Sequence, residues 1–123
     1  MFDHVGLRVK DLRASVRFYT SVLAPLGYAL DTDSAEAASF GPPGQSMLWL
    51  HQVGGAGGQG VHVAFRAPTR LAVDRFHAAG LQAGGRDNGA AGHRPDYSPT
   101  YYAAFLVDPD GNNVEAVCME AAG

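Results

Sequence analysis

Apolar and polar residues alternate through positions 2–9, with Val5, Leu7 and Val9 on one side of an extended chain and His4, Gly6 and Arg8 on the other. A period of two is that of a strand buried on one face. Asp11 follows as a helix N-cap, ahead of Leu12, Val16, Tyr19 and Leu23 at helical spacing, and Pro25 and Gly27 end the run. Two short apolar segments come next, 37–40 and 47–50, parted by Gly41-Pro42-Pro43-Gly44. The same order then recurs. Val61, Val63 and Phe65 alternate with His62, Ala64 and Arg66, Pro68-Thr69 precede a helical pattern over 71–79, and Gly80 is positioned to cap it. Segments 101–107 and 113–117 flank the turn Asp108-Pro109-Asp110-Gly111.

The recurrence extends to residue identity. At an offset of 58 positions, His4 meets His62, Val5 meets Val63, Arg8 meets Arg66, Ala14 meets Ala72, Arg17 meets Arg75 and Phe18 meets Phe76 without a gap. We read a duplicated unit, each copy a strand, a helix and three strands. The chain is therefore expected to be one domain over 1–123, with modules 1–53 and 60–120 joined by the glycine-rich linker 54–60. The fold class expected is α+β, with two tandem βαβββ modules forming a curled sheet around a cleft. Phe18, Tyr19 and Phe76 are assigned to helix–sheet packing.

Composition narrows the function. A chain of 123 residues with 46% hydrophobic and 17% charged residues suits one packed domain. A net charge of -3 leaves no cationic excess for a nucleic-acid backbone. The longest apolar run, 101–107, is too short to span a bilayer, and no basic, apolar leader opens the chain. The single cysteine, Cys118, falls on the helix-facing side of its strand and reads as a small buried apolar residue. The expected setting is cytoplasmic, with a small-molecule substrate and with neither nucleic acid nor membrane as partner.

The histidines carry the chemistry. His4 and His62 open equivalent strands on the face away from the helices, and Glu115 shares that face by parity on the last strand. Two imidazoles and one carboxylate are a facial donor set for a divalent metal, with positions left for water and substrate. Pairing Val107 with Asn112 and Ala104 with Glu115 across the turn adds Tyr102 to that face, as a candidate proton donor. The segment 86–100 reads as a long functional loop. Its His93, Arg94 and Tyr97 are candidates to bind or gate an anionic or aromatic substrate.

These residues resemble the vicinal oxygen chelate superfamily, which includes glyoxalase I, extradiol dioxygenases, fosfomycin resistance enzymes and bleomycin resistance proteins. The resemblance rests on Asp3-His4-Val5-Gly6-Leu7-Arg8-Val9 with Ser15-Val16-Arg17-Phe18-Tyr19, on Gly60-Val61-His62-Val63-Ala64-Phe65, and most specifically on Asp108-Pro109-Asp110-Gly111-Asn112-Asn113-Val114-Glu115. It covers positions 2–120 and implies one divalent ion per site (zinc, iron, nickel or manganese) on His4, His62 and Glu115. Modules of this family commonly pair across a homodimer. Where the family has a fourth ligand, on the last strand of the first module, this chain offers Leu48 or Trp49, neither of which coordinates a metal. His51, on the face of Trp49, is a candidate substitute ligand or substrate contact.

The first reading is therefore a metal-dependent enzyme binding a small substrate through oxygen, by lyase, isomerase, transferase or dioxygenase chemistry. The alternative is a metal-free binding protein of the bleomycin-resistance type, with Trp49, Tyr102 and the loop as an aromatic cleft. A structural dimer with a vestigial site is the third.

Overall fold

A computed structural model describes residues 1–55 and 57–120. The chain runs β1 (Val5–Val9), α1 (Leu12–Leu23), a 3-10 turn (Ala24–Leu26), β2 (Ala29–Asp33), β3 (Ala37–Gly41), β4 (Leu48–Gln52), β5 (His62–Arg66), α2 (Arg70–Gln82), β6 (Arg86–His93), β7 (Tyr102–Val107) and β8 (Asn113–Cys118). Two four-stranded sheets form, ordered β1-β4-β3-β2 and β5-β8-β7-β6. The architecture is α+β, a βαβββ module repeated twice, and neither sheet closes. In each module the first strand pairs in parallel with the last and forms a sheet edge.

The repeat reaches the helix caps. The Asp11 side chain accepts from the Ala14 N–H (3.2 Å), and Thr69, 58 positions later, accepts from the Ala72 N–H (3.0 Å). Gly80 does not end α2, which continues to Gln82. It lies where the helices cross. A Cβ there would stand 2.2 Å from Leu106 Cδ1 and 3.1 Å from Val22 Cγ1, so glycine at this position serves close packing. The segment expected as a long loop is largely strand β6, interrupted in register around Gly89 and Gly92, and the irregular part shrinks to 94–101.

One core unites the halves. Leu7, Val9, Leu48 and Leu50 of the first sheet pack on Phe18, Tyr19, Val22 and Leu23 of α1, and Leu106, Val114, Ala116 and Cys118 of the second join the same core with Val73 and Phe76 of α2. The helix-facing sides of the two sheets thus look toward one another across α1 and α2. Their other faces look outward, away from each other.

The turn between β7 and β8 ties the modules together. Asp108, 3% exposed, accepts from the Tyr19 hydroxyl (2.6 Å) on α1, from the backbone N–H groups of Asp110 (2.9 Å) and Asn112 (2.8 Å), and from Asn112 Nδ2 (3.2 Å). Burial and the neighbouring carboxylate push the Tyr19 phenol up, so it stays a donor. Asp110 accepts from the Lys10 N–H (3.0 Å) and from the Ser15 hydroxyl (3.4 Å). Gly57 passes against this knot; a Cβ there would lie 2.2 Å from Asp110 Oδ1.

Removing a buried acceptor strands its donors, whereas removing one donor leaves the others in place. In urea denaturation Asp108→Ala should cost about 4 kcal/mol and Tyr19→Phe about 2 kcal/mol. Equal losses, or none, would contradict the assignment of Asp108 as the shared acceptor.

Candidate functional site

The β8 register places the carboxylate. His62 pairs with Asn113 and Ala64 with Glu115, so Val114, Ala116 and Cys118 point to the helices and Glu115 to the outward face. Glu115 is nonetheless only 2% exposed. Its Oε1 lies 3.0 Å from His62 Nε2, and its Oε2 accepts a hydrogen bond from the Tyr101 hydroxyl. His62 Nδ1 stands 3.3 Å from the Asn113 carbonyl, which fixes the ring with Nε2 toward Glu115. Asn113 Oδ1, on the face of Glu115, is buried without a hydrogen-bond partner.

Tyr101 takes the place expected for Tyr102, and the turn explains why. The Asp108 N–H donates to the Asn112 carbonyl (2.9 Å), and Val107 pairs with Asn113 rather than Asn112. Glu115 therefore faces Phe105, not Ala104, and every β7 side chain moves to the other face. Tyr102 bonds to Asp74 of α2 (2.6 Å) beneath the Arg70 guanidinium, on the helix side. Burial and the Glu115 carboxylate push the Tyr101 phenol up to about 12. It is a neutral donor at physiological pH.

The two ends of the repeat differ. Gly6 pairs with Trp49 as Ala64 pairs with Glu115, so Trp49 stands where the second module has its carboxylate. His51 stacks beside Trp49 with ring centroids 6.0 Å apart, and its ring lies against Gly6, 3.7 Å from where a Cβ would stand. His4 is exposed and bonded to Asp3 (2.8 Å). It belongs to the first sheet's outward face and does not gather with His62 and Glu115 within one chain. Among the described residues no three His, Cys, Asp or Glu side chains gather to hold a metal ion.

The remaining candidates lie at the β6–β7 end. The Tyr97 ring, 64% exposed, meets Tyr101 edge-on at 5.0 Å, and the Arg94 guanidinium lies over Phe105 at 5.6 Å. His93 Nε2 sits 2.7 Å from the Pro99 carbonyl and holds the 94–101 turn rather than facing Glu115. Elsewhere, a groove of about 280 Å³ between the sheets is lined by Val5, Leu23, Tyr28, Leu48, Val63 and Phe65 and contains none of the candidate site residues.

Residues 1–116 match the model of the Glyoxalase/Bleomycin resistance protein/Dioxygenase superfamily, and the chain belongs to that superfamily. It is similar to the crystal structure of a glyoxalase/bleomycin resistance protein from Albidiferax ferrireducens T118, at 30% identity and TM-score 0.86 over 96% of this chain and 98% of that one. The same fold appears in a glyoxalase-related enzyme from Fulvimarina pelagi (21% identity, TM-score 0.70, 93% and 84% covered). It appears too in a lactoylglutathione lyase from Agrobacterium tumefaciens (22%, 0.67, 96% and 92%). No curated protein matches the sequence significantly. The superfamily commonly binds divalent metals and small-molecule substrates, and its members often form dimers. No helix among the described residues is long and apolar enough to cross a membrane.

A charge-assisted bond to a buried carboxylate should outweigh one made at the surface. Tyr101→Phe should cost about 2 kcal/mol in denaturant unfolding, and Tyr102→Phe less than about 1 kcal/mol. The reverse order would contradict the register described.

Proposed function

We propose that this chain is a divalent-metal-dependent enzyme that takes a small substrate through its oxygen atoms, with the metal on His62 Nε2 and Glu115 Oε1 and the third ligand, His4, supplied by a second copy. The observation that carries the reading is the His62–Glu115 pair at 3.0 Å, the carboxylate buried and its second oxygen already taken by Tyr101. An imidazole and a carboxylate so disposed suit zinc, iron, nickel or manganese. The unpartnered Asn113 Oδ1 beside them offers an acceptor to a bound water or substrate hydroxyl. His4 must come from elsewhere because the face that bears it looks away from His62. A symmetric pair of chains would set the outward face of each first sheet against that of its partner's second sheet, covering the exposed faces of both.

When bound, the ion would act as a Lewis acid on substrate oxygen. The chain's own residues do the rest. Tyr101 holds Oε2 and so turns Oε1 of Glu115 toward His62 Nε2, and the Asn113 carbonyl orients the His62 ring. Trp49 and His51 of the second copy would wall the cleft on the side where a fourth ligand is lacking. The reaction class, whether lyase, isomerase, transferase or dioxygenase, is left to the substrate.

One observation favours a second reading, a metal-free binding protein of the bleomycin-resistance type. Trp49 in the position of a carboxylate makes the first module's face aromatic rather than chelating.

Metal content separates the two. Untagged protein reconstituted with zinc, iron, nickel or manganese should retain about one ion per site, and His62→Ala and Glu115→Gln should each lower affinity by about 100-fold or more. Protein that takes up none of the four metals would overturn the enzyme reading in favour of ligand binding.

A further inference from the structure

The outward face of the second sheet reads, across its strands, as two donors, a ring and a cation. His62 lies on β5, Glu115 on β8 and Phe105 on β7, and Arg94 folds back from the end of β6. Phe105 pairs with Glu115, its ring nearly parallel to His62 at 6.4 Å (20° between planes), and the Arg94 guanidinium lies over it at 5.6 Å. Arg94 is not a side chain left loose at the surface. Its Nη2 donates to the Ala90 carbonyl (2.7 Å), and two glycines of β6 make room for the guanidinium. A Cβ at Gly92 would stand 3.0 Å from Nη1, and one at Gly89 would stand 3.4 Å from Nη2 and 3.0 Å from the Phe105 ring. The register breaks of β6 fall at these glycines. Arg94 joins none of the ion pairs among the described residues, so its remaining N–H donors lack an anionic partner.

We propose that Arg94, over Phe105, is an anion subsite, and that the substrate carries a carboxylate or phosphonate at the end away from its chelating oxygens. As a statement about substrate this rests on the function proposed above; the subsite itself does not need the metal. The guanidinium lies over Phe105, which pairs with Glu115 on the neighbouring strand, so the anion subsite and the chelating groups share one side of the sheet. A substrate with an acid group at one end and chelating oxygens at the other would lie across them, its body beside Tyr97 and Tyr101. The guanidinium fork recognises planar and tetrahedral oxyanions through paired N–H donors.

The test uses benzoate, phenylphosphonate and the uncharged benzamide, titrated by NMR into the metal-free and the zinc-loaded protein. At least one acid should bind saturably to metal-free protein and bind about tenfold tighter than benzamide, the gain of one charge-assisted hydrogen bond. Comparison of the two acids tells carboxylate from phosphonate. Arg94→Gln should abolish that preference. Gly92→Ala, which keeps the charge but crowds Nη1 at 3.0 Å, should reduce it less than Arg94→Gln does. Failure of both acids to bind metal-free protein, equal binding of benzamide, or an unchanged preference in Arg94→Gln overturns the subsite. The parent's preference among the probes decides the matter even if a variant fails to fold. A protein that shows this preference yet takes up no zinc would retain the anion subsite and lose the metal-enzyme reading.

Discussion

The buried carboxylate of Asp108 is the contact on which the arrangement depends. It closes the β7–β8 turn by accepting from Asp110 and Asn112, and it reaches the other module through the Tyr19 hydroxyl. Those two functions are physically one. A desolvated carboxylate must have its lone pairs filled, and filling them draws the turn inward and α1 onto it. The resulting turn is one residue longer than Asp108-Pro109-Asp110-Gly111 suggests. That extra residue sets the register of β8 against β7, and the register decides which tyrosine meets Glu115.

The same tie holds the modules back to back. With both helices between the sheets, the outward faces of one chain do not meet, and the duplicated fold presents two faces of unlike character. The second module carries an imidazole, a carboxylate, a phenol and a guanidinium in one array. The first carries His4, Trp49 and His51. The repeat thus differs in chemistry between its copies, aromatic on the first sheet and polar on the second.

Much of this was legible in the sequence because it depends on local periodicity. The alternation around His62, the cap at Asp11, the equivalence of the modules and the outward parity of Glu115 within β8 all follow from spacing along one strand or helix. The parts that escaped depend on contacts between elements. Tyr101 was hidden because a shift of one residue in a turn exchanges every side chain of the adjoining strand. Gly80 resembles a helix stop and is instead the point where Leu106 and Val22 come too close for any Cβ. The glycines of β6 resemble a loop because their use is to admit a guanidinium whose own residue lies beyond the strand. A signal for Tyr101 was present in the adjacent pair Tyr101-Tyr102, of which one must face each side of the sheet. Whether His4 meets His62 and Glu115 within one chain or between two is not written in spacing along a strand, because equivalent positions of a repeat share a face without sharing a place.

In the site proposed above, His4 of one copy completes what His62 and Glu115 of another begin. Mixing His4→Ala and Glu115→Gln chains after each has been unfolded, then refolding them together and titrating with zinc, tests it most directly. Neither variant alone should hold the metal tightly. If chains pair at random, the mixture should recover tight binding at about a quarter of its sites, since half the pairs are mixed and each has one intact site of two. A mixture that binds no more zinc than the two variants kept apart would contradict the shared site.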